Sequence, residues 1–148
     1  LVLSAPWGTR VTVTIGPGFP IARLIGSGRI AMADPDTVPA GKYGRAALEA
    51  LGVWRDVRER VAAAENVRAA LVLVSRGEAP FGIVYRTDAA ADPRVRVVDT
   101  FPQNAHPPIV YPAAITAVGK PPAERFLGWL SGPEAKAVFE KSGFSLSR

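Results

Sequence analysis

The chain has 148 residues, 48% apolar and 21% charged, with a net charge of +5 and no cysteine. This is the balance of one globular domain with a real core, and it excludes disulfides and thiolate metal sites. No apolar run approaches the length of a membrane span. The Lys and Arg residues are dispersed with no run of three, which fits a solvated surface rather than a nucleic-acid-binding face.

The chain opens without Met on a strand already under way, as a fragment would, so the lack of a visible signal peptide says nothing about compartment. Leu1–Ala5 predicts that strand, closed by Pro6. Thr9–Ile15, TRVTVTI, alternates polar and β-branched residues and predicts a half-buried strand. A Gly/Pro loop follows. Ile21, Leu24 and Ile25 predict one helical turn, ended by Gly26-Ser27-Gly28.

Ile30–Ala33 predicts a buried strand. Asp34-Pro35-Asp36 breaks it, because proline fixes its own φ and disfavours helix in the residue before it. Tyr43, Ala46, Ala47, Ala50 and Leu51 then fall at i, i+3, i+4, i+7 and i+8, the stripe of an amphipathic helix stopped by Gly52. Trp54, Val57 and Val61 predict a second, short helix. Val67, Ala70, Leu71 and Val74 predict a third, with Asn66 as N-cap and an end near Arg76-Gly77.

Phe81–Tyr85 reads as a short strand, Thr87–Asp92 as a helical turn and Val95–Val98 as another strand. Ile109–Thr116 reads as a strand interrupted by Pro112, which suits an edge or a crossing segment. Two C-terminal helices carry apolar stripes, Ala123, Phe126, Leu127 and Leu130 in one, Ala135, Val138 and Phe139 in the other. Strands alternate with helices from Arg29 to Val98. The fold class is therefore α/β, with a mainly parallel sheet flanked by helices.

In such sheets ligands sit at the carboxyl ends of the strands. The helix after Val38 would start with free backbone N–H groups near Ala40–Lys42, and the next with free groups near Val67 and Arg68. Such groups and the helix dipole favour an anion. Gly41 would let a ligand come close to the backbone. Tyr85, at another strand end, could add a phenol. An ordinary strand–helix connection with nothing bound gives the same spacing. Asp34 and Asp36 could hold a metal or cap their own loop, and capping is the commoner use. His106, the only histidine, lies in a loop with no Cys or carboxylate cluster beside it in the sequence. No nucleophile elbow, Walker loop or zinc motif is present, and nothing assembles a catalytic constellation.

The segments ADPDTVPAGKYGRAALEALGVW, ENVRAALVLVSRGEAPFGIVY, VRVVDTFP and YPAAIT, in this order and spacing, resemble the periplasmic molybdate-binding receptors of ATP-binding-cassette transporters, type II periplasmic binding proteins. The resemblance covers most of Arg29 to Phe144. It implies a tetrahedral oxyanion, molybdate or tungstate, held by neutral donors without a cofactor or cation ligand. Ala40 in VPAG and Val67 in ENVRAAL would give main-chain N–H groups, and Tyr85 in GIVY its hydroxyl. The family's remaining ligands are serines of the first lobe, whose region is not in this sequence. Ser4 and Ser27 are not in the matching context.

The resemblance further implies a crossing strand and the start of the second lobe over 1–28. The oxyanion-binding lobe would span 29–112. A return strand and C-terminal helices over 113–148 would pack on the first lobe. It implies a periplasmic, non-enzymatic protein that delivers its anion to a membrane permease and binds no nucleic acid. Dimerisation or swapping through the C-terminal helices is a further expectation. The alternatives are the ligand-sensing domain of a transcription regulator with the same fold, and an isolated lobe without useful affinity.

Overall fold

The backbone polar groups of a short apolar run can be buried only if neighbouring strands satisfy them. In the computed structural model, which describes residues 1–145, five strands do so: β1 (Val2–Pro6), β2 (Ile30–Ala33), β3 (Val61–Ala64), β4 (Phe81–Val84) and β5 (Val95–Thr100). They form one sheet in the order β3-β2-β4-β1-β5. β2 pairs in parallel with both β3 and β4, and β1 pairs antiparallel with both β4 and β5. Four strands thus run one way, and β1 runs against them from between β4 and β5.

Helices cover both faces, so β2 and β4 are buried on each side and read as unbroken apolar runs. On one face Leu3, Ile30, Met32, Phe81 and Ile83 pack with α1 (Ile21–Ile25), α2 (Pro39–Ala50) and α3 (Trp54–Val57). On the other, Val2, Ala31 and Val84 pack with α4 (Val67–Ser75) and α5 (Arg86–Ala91). Each fully buried Leu, Ile or Met contributes about 1.5–3 kcal/mol. The one buried polar side chain among the described residues, Ser4, donates to Gly82 O at 3.0 Å.

The chain divides into two compact units, Leu1–Pro108 and a second beginning at Ile109. The second holds α6 (Pro121–Leu130) and α7 (Pro133–Lys141), whose described apolar side chains are largely in solvent: Phe126, Trp129 and Val138 are 59%, 46% and 60% exposed. Their stripes were expected to cover a partner surface, and α6 has no buried residue.

Four sequence expectations are corrected. Val61 is not on a helix; it opens β3, after α3 has run into a single 3₁₀ turn over Arg58–Arg60. Its alanines carry little β signal, and pairing with β2 rather than propensity makes the segment a strand. Thr9–Ile15 keeps its predicted alternation of burial but joins no ladder. Side chains of β5 hold it instead: Arg96 donates to Thr9 O at 2.5 Å, and Asp99 accepts from Ile15 N at 2.6 Å. Ile109–Thr116 is also not a strand, since none among the described residues pairs with it. Finally, of the predicted α2 stripe Ala47 and Leu51 are buried, but Tyr43 and Ala46 are only partly so and Ala50 is exposed; the buried face of the helix is Ala40, Gly41, Gly44, Ala47 and Leu48.

That rotation has a steric cause. At Gly44 a Cβ would stand 2.7 Å from Met32 Cε and 3.3 Å from Ile83 Cγ2, so α2 lies against the sheet on its smallest residues. Gly82 does the same for α4: a Cβ there would stand 2.5 Å from Val74 Cγ2 and 3.2 Å from Ala31 O. A helical valine has essentially one rotamer and cannot swing aside. Gly82→Ala should therefore destabilise the fold by about 1–3 kcal/mol, read as a lower urea midpoint with an unchanged slope.

Candidate oxyanion site

The parallel strands β2, β3 and β4 end at one edge of the sheet. Ala33 is in register with Ala64, and Met32 with Ile83, so Ala33, Ala64 and Val84 lie side by side. The ladder continues one step further, with Asp34 N donating to Ala64 O at 2.8 Å. The three residues singled out in the sequence follow these ends. Tyr85 directly succeeds Val84, Val67 is the first residue of α4 after β3, and Ala40 lies in the first turn of α2 after β2. Because α2 and α4 cover opposite faces, their N-termini flank the strand ends from the two sides, with Tyr85 just past the end of β4.

Each helix start leaves donors that the helix itself cannot use. In α2 the first helical bond runs from Lys42 N to Val38 O at 2.9 Å, so the amides of Ala40 and Gly41 precede the ladder. Pro39 at the first position has no N–H to place there. In α4 the Asn66 side chain accepts from Ala69 N at 2.8 Å, and Ala70 N donates to Asn66 O at 3.2 Å. The amides of Val67 and Arg68 come before both. Ala40 is buried, and Val67 and Tyr85 are partly so.

Gly41 has a packing use within the fold. A methyl group there would overlap the carbonyl oxygens of Ala33 and Asp34. The missing side chain lets the first turn of α2 sit directly on the end of β2.

The loop between them is closed by its own polar groups. Asp34 Oδ1 accepts from Asp36 N at 2.8 Å, and Val38 N donates to Asp34 O at 3.1 Å. The backbone N–H of Asp36, then the Thr37 hydroxyl, hold the Asp34 carboxyl below the ordinary value of 3.8. Asp34 thus caps its own loop. Among the described residues no group of His, Asp or Glu is disposed to hold a metal ion. His106 lies with its ring 6.1 Å from that of Tyr43 and its Nδ1 2.8 Å from Pro107 O, a packing position.

Three of the cationic side chains that follow the strand ends have partners of their own, while Lys42 in the first turn of α2 is exposed. Arg68 pairs with Asp88 at 3.5 Å, Arg86 donates to the Thr100 hydroxyl, and Arg45 pairs with Asp36 at 2.7 Å. Arg45 was not singled out in the sequence, since nothing in its spacing points to a loop partner. What the edge offers is therefore a set of neutral, fixed donors biased by two helix dipoles, suited to an anion rather than to proton transfer.

A family model described as bacterial extracellular solute-binding protein matches residues 11–145. The chain is 44% identical over 124 residues to the molybdate-binding protein ModA of Escherichia coli, covering 83% of this chain and 48% of that protein. It is 43% identical over 147 residues to the molybdate-binding protein ModA of Haemophilus influenzae, covering 98% of this chain and 58% of that one. The chain thus spans about half the length of these relatives. Among solved structures, the substrate binding domain of a putative molybdenum ABC transporter from Clostridium difficile superimposes with a TM-score of 0.78 at 25% identity. That match covers 99% of this chain and 63% of the other.

Two outcomes follow from the α2 start. Gly41→Ala should lower stability by about 1–3 kcal/mol through backbone overlap, seen as a reduced urea midpoint; a wild-type midpoint would contradict the packing. Asp34, with its folded pKa depressed, adds stability that is present above the ordinary value of 3.8 and is lost as pH falls through the folded one. Asp34→Asn keeps an acceptor for the turn but cannot titrate. Its stability–pH curve should be flatter on the acid side than wild type, as measured by urea unfolding across that range.

Proposed function

The chain belongs to the bacterial extracellular solute-binding protein family, and from that premise we propose that it is the oxyanion-binding lobe of a molybdate and tungstate receptor. One observation carries the reading. The sheet register sets Ala40, Val67 and Tyr85 after three adjacent parallel strand ends, with two helix N-termini facing that edge from opposite sides. The names of the relatives supply the anion.

In this reading the main-chain N–H groups of Ala40 and Val67 and the hydroxyl of Tyr85 donate to the oxygens of a tetrahedral dianion. The donors are neutral, so the charge is balanced by fixed dipoles whose worth rises as water is excluded. A protonated oxyanion is disfavoured, because its O–H would face another donor with no acceptor. Size selects the larger molybdate and tungstate over sulfate. The same reading places the protein in the periplasm as a delivery partner of a membrane permease, with binding and release rather than catalysis as its task. The domain reading is part of the proposal: residues 29–112 carry the oxyanion site, within a compact unit that also includes β1 and α1 and ends at Pro108, and the C-terminal helices cover part of a first lobe.

Isothermal titration with molybdate tests this, with sulfate at matched ionic strength as the control. Saturable heat with molybdate alone is expected. Tyr85→Phe should weaken it about ten- to a hundredfold, the worth of one hydrogen bond to a charged group. Ala40→Pro deletes one N–H in a first helical turn, where proline is tolerated, as Pro121 and Pro122 are at the start of α6. A similar loss is expected with the fold intact by circular dichroism. Equal heats for molybdate and sulfate, or molybdate binding that both variants leave unchanged, would overturn the reading.

A further inference from the structure

We infer that Arg45 is a positioning residue for the anion site, acting through the loop that sets the start of α2; the inference rests on the oxyanion reading above. Arg45 lies one turn past Gly41 on α2 and has three partners in three places. Its Nε donates to Glu49 on its own helix at 2.9 Å. Its Nη1 donates to Asp36 in the strand–helix loop at 2.7 Å. Its guanidinium carbon lies 5.6 Å from the ring centroid of Trp54, at the start of α3.

The division of labour follows from the geometry of the guanidinium. Glu49, at i+4, and the Trp54 ring hold the planar fork in one orientation, so little rotamer freedom remains to be lost when it reaches Asp36. Asp36 is the residue whose own N–H is bound by the Asp34 carboxylate. Asp34 O accepts Val38 N, and Val38 O accepts Lys42 N. A relay of four short contacts therefore runs from Arg45 through Asp36, Asp34 and Val38 to the first helical bond of α2. The amides of Ala40 and Gly41 lie between the last two members. The start of α4 is held differently: the Asn66 side chain caps it, and Arg68 in its first turn pairs with Asp88 of α5 at 3.5 Å, so no part of it runs through Arg45.

Magnitude sets the expectation. Asp36 is exposed, and a single exposed ion pair contributes little. Three concerted contacts on a fork already oriented give about a three- to tenfold effect on the open–closed balance of the loop.

The test compares wild type, Arg45→Ala and Arg45→Lys by amide hydrogen exchange in solution and by titration with sodium molybdate. In Arg45→Ala, exchange at Asp36, Val38 and Lys42 should accelerate about three- to tenfold while Ala69 and Ala70 at the α4 start stay at wild-type rates. The molybdate Kd should rise by the same factor. Arg45→Lys keeps one ion pair without the fork, and should fall between the two on both readouts. Uniform acceleration at all five amides would mean general destabilisation and would overturn the inference. So would a molybdate Kd that Arg45→Ala leaves unchanged. Wild-type protein that binds no molybdate would sink the receptor reading itself, a result separable from these two.

Discussion

The contact on which the site depends is backbone against backbone. The first turn of α2 rests on the last carbonyls of β2, with Gly41 where any side chain would collide with Ala33 and Asp34. A helix that close cannot slide or rotate without losing packing on its whole length. Gly44 carries the same approach one turn further, over Met32 and Ile83. The glycines cost helix propensity, roughly 1 kcal/mol each relative to alanine. What they give in return is a helix start fixed relative to the strand end, and a fixed start is what an amide donor needs if it is to select by distance.

The opposite face repeats the principle with other residues. Gly82 thins β4 so that Val74 of α4 can seat, and Asn66 terminates that helix at a defined amide. Two helices on two faces are thereby referenced to the same three strands. Register then does the remaining work: Ala33, Ala64 and Val84 are level, so whatever follows them starts from one edge. Orienting neutral dipoles in this way requires no buried cation. It also leaves the surrounding arginines free to make local contacts with Asp36, Asp88 and Thr100.

Much of this arrangement was legible in the sequence, for reasons that differ by element. The strands β2, β4 and β5 and the helix α4 carry strong local signals, such as IAMA before Asp-Pro, FGIV, and Asn66 ahead of an apolar stripe. Ala40, Val67 and Tyr85 were reached from strand ends and helix starts, and the family resemblance pointed to the same places; their role with an anion is proposed. β3 was misread because its alanines have no β preference, and only pairing with β2 makes them a strand. The face of α2 was legible at Ala47 and Leu51 but placed too far toward Tyr43 and Ala50, because hydrophobic periodicity ignores glycine, while burial there is governed by how closely the backbone can approach. Thr9–Ile15 has the alternation of a strand without the ladder. Alternation reports one buried face, and here Arg96 and Asp99 side chains take the place of backbone partners. The link from Arg45 to Asp36 spans a proline turn, and no sequence spacing encodes it.

The central claim is that a tetrahedral dianion is held at the shared edge of β2, β3 and β4. The most direct measurement is a crystal structure of the protein soaked with tungstate, with anomalous scattering recorded at a tungsten absorption edge. The account predicts one dominant anomalous peak with oxygens in hydrogen-bond reach of Ala40 N, Val67 N and the Tyr85 hydroxyl. A dominant peak elsewhere would contradict it, as would the absence of any peak at saturating tungstate.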